Sequence, residues 1–545
     1  VKLFLFFLVP VAYKRDSMCC QKLPFEKVQQ LSTFDKLFAN NQSLFEELIP
    51  WKTEMKSIKM VISDRQKKPF DRKLIHEILT RQYNSLNING RNDLIDSLLD
   101  DSTYAMVTAH QPYLFGGPLY FITKIISAIK LAQQAKDAFP DYNFVPIFYI
   151  GGEDHDLEEC NNTTIFQKKI LWNTQQSGPI GRMTTDDMDA AIEELCGIMG
   201  KNEHAEKLSK LIRTAYRPGR TVNEAMTHFI NEFLEDYPLL ILNADDVNGK
   251  KAFRKIIHQE VLEGIAEPLI VRQQEKMKEL GLKPQAFVRP INFFYLSKYG
   301  RNRIERKGDR YEIVQTDISF SAVEMEKEIE DNPDRFSPNV IMRPIYQDFL
   351  LPTVAYIGGG GELAYWADRK LLFEVFDITM PLLVRRDSFV IVDQTSLKKL
   401  EKINISIKEL FKDENELKSG FLASQTEVSL SFGSETKALA KVIADIQDKV
   451  QQVDPTLKGF VGSETATFFK TLSHIEARVR KALSGKHEIE LQQLHSLHQR
   501  FFPNNGLQER VESFLSFYVM NGKEIIEKLI ECSDPLDFNF KIVES

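Results

Sequence analysis

Between Tyr104 and Ile150 the chain spells out one unit that leaves little choice of architecture. Tyr104-Ala-Met-Val-Thr-Ala109 is a short apolar run suited to a buried strand, and Gly116-Gly117-Pro118 breaks it. Ile122, Ile125, Ile126 and Ile129 then recur at helical spacing, and Phe144-Val-Pro-Ile-Phe-Tyr-Ile150 makes a second strand-like run. Pro118 sits near the first helical position, where its missing N–H costs nothing. Strand, crossover helix and strand within about fifty residues predict a parallel sheet of the α/β class. Pro238-Leu-Leu-Ile-Leu242, and Val384 with Phe389-Val-Ile-Val392, extend that sheet.

With 545 residues the chain is long enough for several such units and for insertions between them. The formal charge of −7 offers no general attraction to nucleic acid or to an anionic membrane. Five cysteines, at 19, 20, 160, 196 and 532, show no CxxC spacing, which argues against a disulfide scaffold or a zinc cluster and points to the reducing cytoplasm. Lys2 and the apolar run Leu3 to Ala12 have the charge and length of a signal-peptide core, too short to span a bilayer. No A-x-A-like cleavage site follows, and Met18 opens ordinary globular composition. Residues 1–17 therefore read as an upstream extension, the alternatives being an export or membrane signal and a genuine helix. No other stretch is apolar enough to cross a membrane.

These patterns divide the chain into a core in three parts, 18–166, 231–264 and 339–394, interrupted by insertions at 167–230 and 265–338. The first insertion is mainly polar and helical in pattern. The second mixes helix with β-like segments, Phe287 to Tyr295 and Tyr311 to Val314. From 395 to 503 the pattern is helical: Leu439, Ile443, Ile446, Val450, Val453, Leu457 and Phe460 form a heptad seam, with Pro455 predicting a kink or a fresh start. The seam reads as a coiled-coil arm that makes a homodimer, against the alternative of a hairpin folding on itself. The stretch 504–545 is predicted to be helical and to return to the core.

Three glycine-bearing turns carry candidate chemistry. At the first, His110-Gln111-Pro112 to Tyr120, the glycines Gly116 and Gly117 beside Phe115 would let backbone N–H groups approach an anion, with His110, Gln111, Tyr120 and Lys124 adding side-chain contacts. At the second, Gly151-Gly152-Glu153-Asp154-His155-Asp156, three carboxylates surround one histidine; His155 is the candidate base, oriented by Asp154 or Asp156, with Glu153 at the substrate. At the third, Gly358, Gly359, Gly360 and Gly361 suggest a backbone cradle, followed by Glu362, Tyr365 and Trp366. Arg343, Gln347 and Asp348 lie just upstream. Turns that follow parallel strands share one edge of the sheet, so the first two predict one crevice, which Arg343, Gln347 and Asp348 are expected to border. Cys160 reads as a packing residue, and the run Arg478, Arg480, Lys481 and Lys486 as a solvated helix face.

The His110–Tyr120 turn, the strand ending in GGEDHD, Leu350 to Trp366, and the segment FFPNNGLQER from Phe501, in this order, resemble the bacillithiol biosynthesis cysteine-adding enzyme family, BshC. The resemblance implies a Rossmann-like core of nucleotidyltransferase type, two connecting insertions and a C-terminal α-helical coiled coil. It also implies the joining of cysteine to glucosaminyl-malate, the last step to bacillithiol. Such an amide-forming ligase needs its carboxylate activated, and a nucleotide such as ATP is the expected agent, although neither HxGH nor a KMSKS-like signature is present. No metal motif is present either. A metal-dependent amino-sugar hydrolase or deacetylase using His110, Asp154, His155 and Asp156 is the alternative enzyme, and a ligand-sensing coiled-coil scaffold the non-catalytic one.

Overall fold

The Tyr104–Ile150 unit folds as its pattern demands. In the computed structural model, which describes residues 20–68, 70–426 and 430–545, strand β1 (Thr103–His110) runs into helix α1 (Leu119–Ala138) and then strand β2 (Asn143–Ile150). The expectation for residues 1–17 lies outside the described residues. Strand β3 (Leu240–Asn243) with helix α2 (Val247–His258), helix α3 (Arg343–Leu350), strand β4 (Thr353–Gly358), helix α4 (Gly360–Ala367) and strand β5 (Leu382–Arg385) complete the core. The sheet order is β5-β4-β1-β2-β3, all parallel. Along β1, alternate residues serve opposite faces: Ala105, Val107 and Ala109 join one apolar cluster, Tyr104 and Met106 another. Both faces are thus buried, which is why the strand reads as a continuous apolar run.

The strand order reverses at β1, with β2 on one side and β4 on the other. At such a switch point the two connections leave in opposite directions and open a crevice at the carboxyl ends of the strands.

The insertions differ from their sequence reading in detail. The first opens with a β-hairpin, Asn162–Ile165 paired with Lys168–Leu171, before its helices Asp189–Met199, Glu203–Ala215 and Val222–Phe233. The second holds an antiparallel five-stranded sheet in which Phe293–Ser297 pairs with Gly300–Lys307. Phe287 to Ile291, expected as β-like, lies outside any strand. A further sheet, unforeseen, pairs Cys20–Pro24 with Asn539–Glu544, and Phe389–Val392, expected to extend the core sheet, instead lies parallel to Asn539–Glu544 within Ser388–Val392. The C-terminal stretch therefore ends in a strand as well as in the helices Phe514–Asn521 and Glu524–Cys532.

Residues 393–508, with 27–30, form a second compact unit. Its arm is two helices, Gly433–Val453 and Lys458–Lys486, separated by a short turn at Pro455–Leu457. Asp454 caps that turn through the Thr456 amide, so the proline starts a fresh helix instead of kinking one. The helices run back along each other: the Phe432 amide, before the first, donates to Glu476 within the second at 3.0 Å. Ile443 is buried in this hairpin, while Val442, Ile446, Val453 and Phe460 remain exposed. Among the described residues, no helix is long and apolar enough to cross a membrane.

Candidate active site

Residues from all five strand ends of the parallel sheet line one crevice of about 910 Å³. His110 and Gln111 follow β1, Gly151 to Asp156 follow β2, Ala244 follows β3, Gly359, Gly361 and Glu362 follow β4, and Arg386 follows β5. The second insertion adds Arg289, Phe294 and Arg301. The first two turns converge as expected, the third joins them, and the three contribute differently.

At the first turn the glycines do not reach the crevice. Phe115, Gly116 and Gly117 are buried behind its wall, and their φ values of +52°, +83° and +58° describe a tight left-handed bend. A Cβ on Gly117 would lie 2.7 Å from Cβ of Tyr113, so glycine is required by the packing of that tyrosine and not by a ligand. The amides are also occupied: Gly116 and Gly117 donate to Tyr113 and Leu114, and Leu119 donates to the Glu512 carbonyl at 2.8 Å. No anion cradle exists here. The side chains around the turn do line the crevice. His110 donates from Nδ1 to the Gln111 carbonyl at 3.3 Å and accepts at Nε2 from the Tyr120 hydroxyl at 3.1 Å. Burial, reinforced by Lys124, lowers its pKa to about 3, so the ring is neutral.

At the second turn the carboxylates are committed. Glu153 pairs with the buried Lys250 at 2.5 Å, and Lys250 also meets Asp245, itself held by Arg182. Burial raises the Glu153 carboxyl above its usual range against the pull of Lys250. Asp154 spends Oδ1 on the amides of His155 and Asp156 and accepts at Oδ2 from Gln111 at 2.9 Å. Burial opposes its ionisation, but Arg301 and these bonds hold it below the ordinary carboxylate range. Asp156 caps the short helix Leu157–Cys160 through the Glu159 amide. Neither aspartate makes the expected bond to the imidazole: Asp154 Oδ1 is 3.9 Å from Nδ1 of His155. The group that orients His155 is Arg301, whose Nη1 lies 3.1 Å from Nδ1.

The third turn does open into the crevice, through Gly359 and Gly361. Gly360 faces away: a Cβ there would lie 2.1 Å from Asp35, the buried partner of Arg385. Gly358 ends the strand without lining the crevice, and Trp366 is buried, stacked on Tyr356 at 3.9 Å. Glu362 caps α4 through the Gly359 amide and accepts from the buried Lys124 at 2.7 Å. Burial works against the Glu362 charge, yet Lys124 and Arg343 keep its pKa below the usual value.

Arg343 stands beside this turn, and among the described residues it takes part in no ion pair. Its guanidinium donates to neutral oxygens, Gln347 at 3.1 Å and the Tyr365 hydroxyl at 3.2 Å. The rings of Tyr149, Tyr356 and Trp366 surround it at 5.7 to 6.0 Å. Arg386, held bidentately by Glu509, and Arg510 line the same end. Asp348 does not belong to the crevice; it is buried near Arg65, and burial pushes its carboxyl up to about 7. Cys160 is buried and its thiol is pushed up by burial, as befits a packing residue.

Sequence reasoning missed Arg301, Lys250, Asp245 and Arg386. The pair Arg385-Arg386 directly after an apolar strand was a usable signal, since a charge there must face the carboxyl edge. Arg301 lies in Gly300–Lys307, a polar strand whose composition gives no hint that one guanidinium is pinned against Ser337, Pro338 and His155. Among the described residues, no group of three or more His, Cys, Asp or Glu is placed to hold a metal ion, so His110, Asp154, His155 and Asp156 do not form the ligand set that a metal hydrolase would need.

Comparison with known proteins covers nearly the whole chain. Residues 18–387 match the profile of the N-terminal Rossmann-like domain of bacillithiol biosynthesis BshC, and residues 389–545 match that of its C-terminal coiled-coil domain. A protein of Christiangramia forsetii is 36% identical over 486 residues, covering 88% of this chain and 90% of its own length. One of Cytophaga hutchinsonii is 33% identical, covering 94% and 97%, and one of Bacillus cytotoxicus is 29% identical, covering 86% and 90%. All three are named as BshC cysteine ligases, in names that are themselves provisional.

Proposed function

The chain belongs to the bacillithiol biosynthesis BshC family, and from that premise we propose that it is a ligase joining cysteine to the amine of glucosaminyl-malate, the last step to bacillithiol, in the cytoplasm. The observation that carries the reading is Arg343, a cation at the crevice wall bonded only to neutral oxygens. Glu362, whose charge Arg343 feels, is already bonded to Lys124, Tyr356 and the Gly359 amide, so an anionic ligand would give the guanidinium a hydrogen-bonded partner of opposite charge. Guanidinium binds carboxylate through paired N–H groups, so the malyl carboxylates fit this end of the crevice. The open glycines Gly359 and Gly361 leave room for them, and Lys124 sits behind Glu362 to hold the turn in shape.

The amine of the sugar then lies toward the Gly151–Asp156 turn, across the crevice. Condensing a carboxylate with an amine releases water and is unfavourable unless the carboxylate is first activated. A nucleotide such as ATP is the proposed activator, its phosphates drawn to the same end through Arg510. The homodimer is proposed to form on the exposed apolar stripe of the arm, Val442, Ile446, Val453 and Phe460. Light scattering on Ile446→Glu tests it: the substitution splits the dimer, and a dimer that survives it lies elsewhere.

Mass spectrometry of pure protein incubated with cysteine and glucosaminyl-malate, with and without ATP, tests the ligase reading. The expected result is the amide product, formed in a nucleotide-dependent manner. Absence of product under both conditions, with substrate bound, would favour a ligand-sensing scaffold.

A further inference from the structure

We infer that Arg301 is a positioning residue that fixes His155 as a neutral hydrogen-bond donor through Nε2, so that the histidine serves the crevice as a donor and not as a base. The argument begins with Arg301 itself. Its Nε donates to Ser337 Oγ at 2.8 Å and its Nη2 to the Pro338 carbonyl at 2.9 Å, leaving Nη1 directed at His155. Phe294 lies under the guanidinium at 4.0 Å and also meets the His155 ring edge-on at 5.5 Å. The two cationic-type side chains thus share one aromatic wall and one bond.

A guanidinium has donors only and keeps its charge at any pH a protein survives. The nitrogen it faces must therefore accept, which makes Nδ1 of His155 the unprotonated atom. A neutral imidazole carries its single proton on the other nitrogen, so Nε2 is N–H. Protonating Nδ1 would break the Arg301 bond and set two cations against each other. The other charged groups around the ring are Asp154 and Asp156 on the same turn, which favour the imidazolium; burial and Arg301 outweigh them, and the pKa falls below its ordinary value. Asp154 is in any case occupied by the two backbone amides and Gln111.

The half-exposed ring therefore offers one N–H to the crevice and has no free lone pair with which to take a proton from an amine. On the ligase reading, the fitting acceptor is an oxygen that gains negative charge as the amide forms, the use to which fixed donors are put at acyl centres. The inference about the tautomer stands without that reading, since it concerns the ligand-free protein.

The test is nitrogen-15 NMR of the full chain labelled at histidine, with His155 assigned by the signal lost in His155→Asn. The expected spectrum at pH 8 shows His155 protonated at Nε2 and titrating below the ordinary histidine value of about 6.5. In Arg301→Met the midpoint should rise by about one unit or more and the tautomers should mix, while Arg301→Lys, which keeps the charge, shifts less. Wild-type His155 found protonated at Nδ1, or titrating at the ordinary value, overturns the inference even if neither variant folds. Activity gives an independent reading: His155→Gln, which retains a donor, should keep turnover within about tenfold, whereas a general base lost there would cost about 10²–10⁴-fold. A fall of that size in His155→Gln, with an unchanged melting temperature, would restore the histidine as the base.

Discussion

The first and third turns look alike in sequence and behave as opposites. Both follow a buried parallel strand, both are glycine-rich, and both open a helix. At Phe115–Gly117 the backbone turns left-handed under Tyr113, and the amides of both glycines donate within the protein. At Gly358–Gly361 the four residues divide the work: Gly360 makes room for Asp35, while Gly359 and Gly361 face the crevice beside Arg343. Glycine runs signal a close approach, but only the structure says whether the approaching atom is the protein's own.

Substitutions at the two turns should fail in different ways. Gly117→Val puts a branched side chain at φ +58° and within contact distance of Tyr113. Strain and overpacking each cost about 1–3 kcal/mol, so a melting-temperature drop of a few degrees is expected. A variant that melts like the parent yet binds substrate poorly would mean that the turn is a cradle after all.

His110 sharpens the comparison through pH. Its folded pKa of about 3 lies below the unfolded value near 6.5. Between these values the unfolded chain binds a proton that the folded chain does not, so His110 contributes stability above pH 6.5 that is lost as pH falls toward 3. Its contribution has a slope of roughly 1.4 kcal/mol per pH unit at most. Denaturant titrations of His110→Asn should show a shallower acid loss than the parent; an identical slope would place a charged histidine at the crevice.

Gly361→Ala should have the smallest effect on folding, because a Cβ there meets nothing within 4 Å. Stability within about 0.5 kcal/mol of the parent is expected, with weaker substrate binding, since the methyl group enters the crevice. Unchanged binding would show that the ligand does not approach this backbone.

How far the sequence disclosed these features follows from how local each one is. The β1–α1–β2 unit, the crevice edge and the helical arm were legible because apolar period and turn residues lie side by side in the chain. The Glu153–Lys250–Asp245 group was not, since it joins positions almost a hundred residues apart and each charge alone reads as solvated surface. Arg301 was hidden for the same reason. Asn539–Glu544 escaped because a short terminal strand owes its pairing to Cys20–Pro24 at the opposite end of the chain.

The central claim is that the anionic part of the substrate is held at Arg343. Calorimetric titration of glucosaminyl-malate into the parent and into Arg343→Met tests it directly. A charge-assisted bond is worth about 1.5–3 kcal/mol, so the variant should bind roughly 10- to 150-fold more weakly while melting near the parent temperature. Equal affinity in the two proteins would contradict the account and move the substrate carboxylates to another part of the crevice.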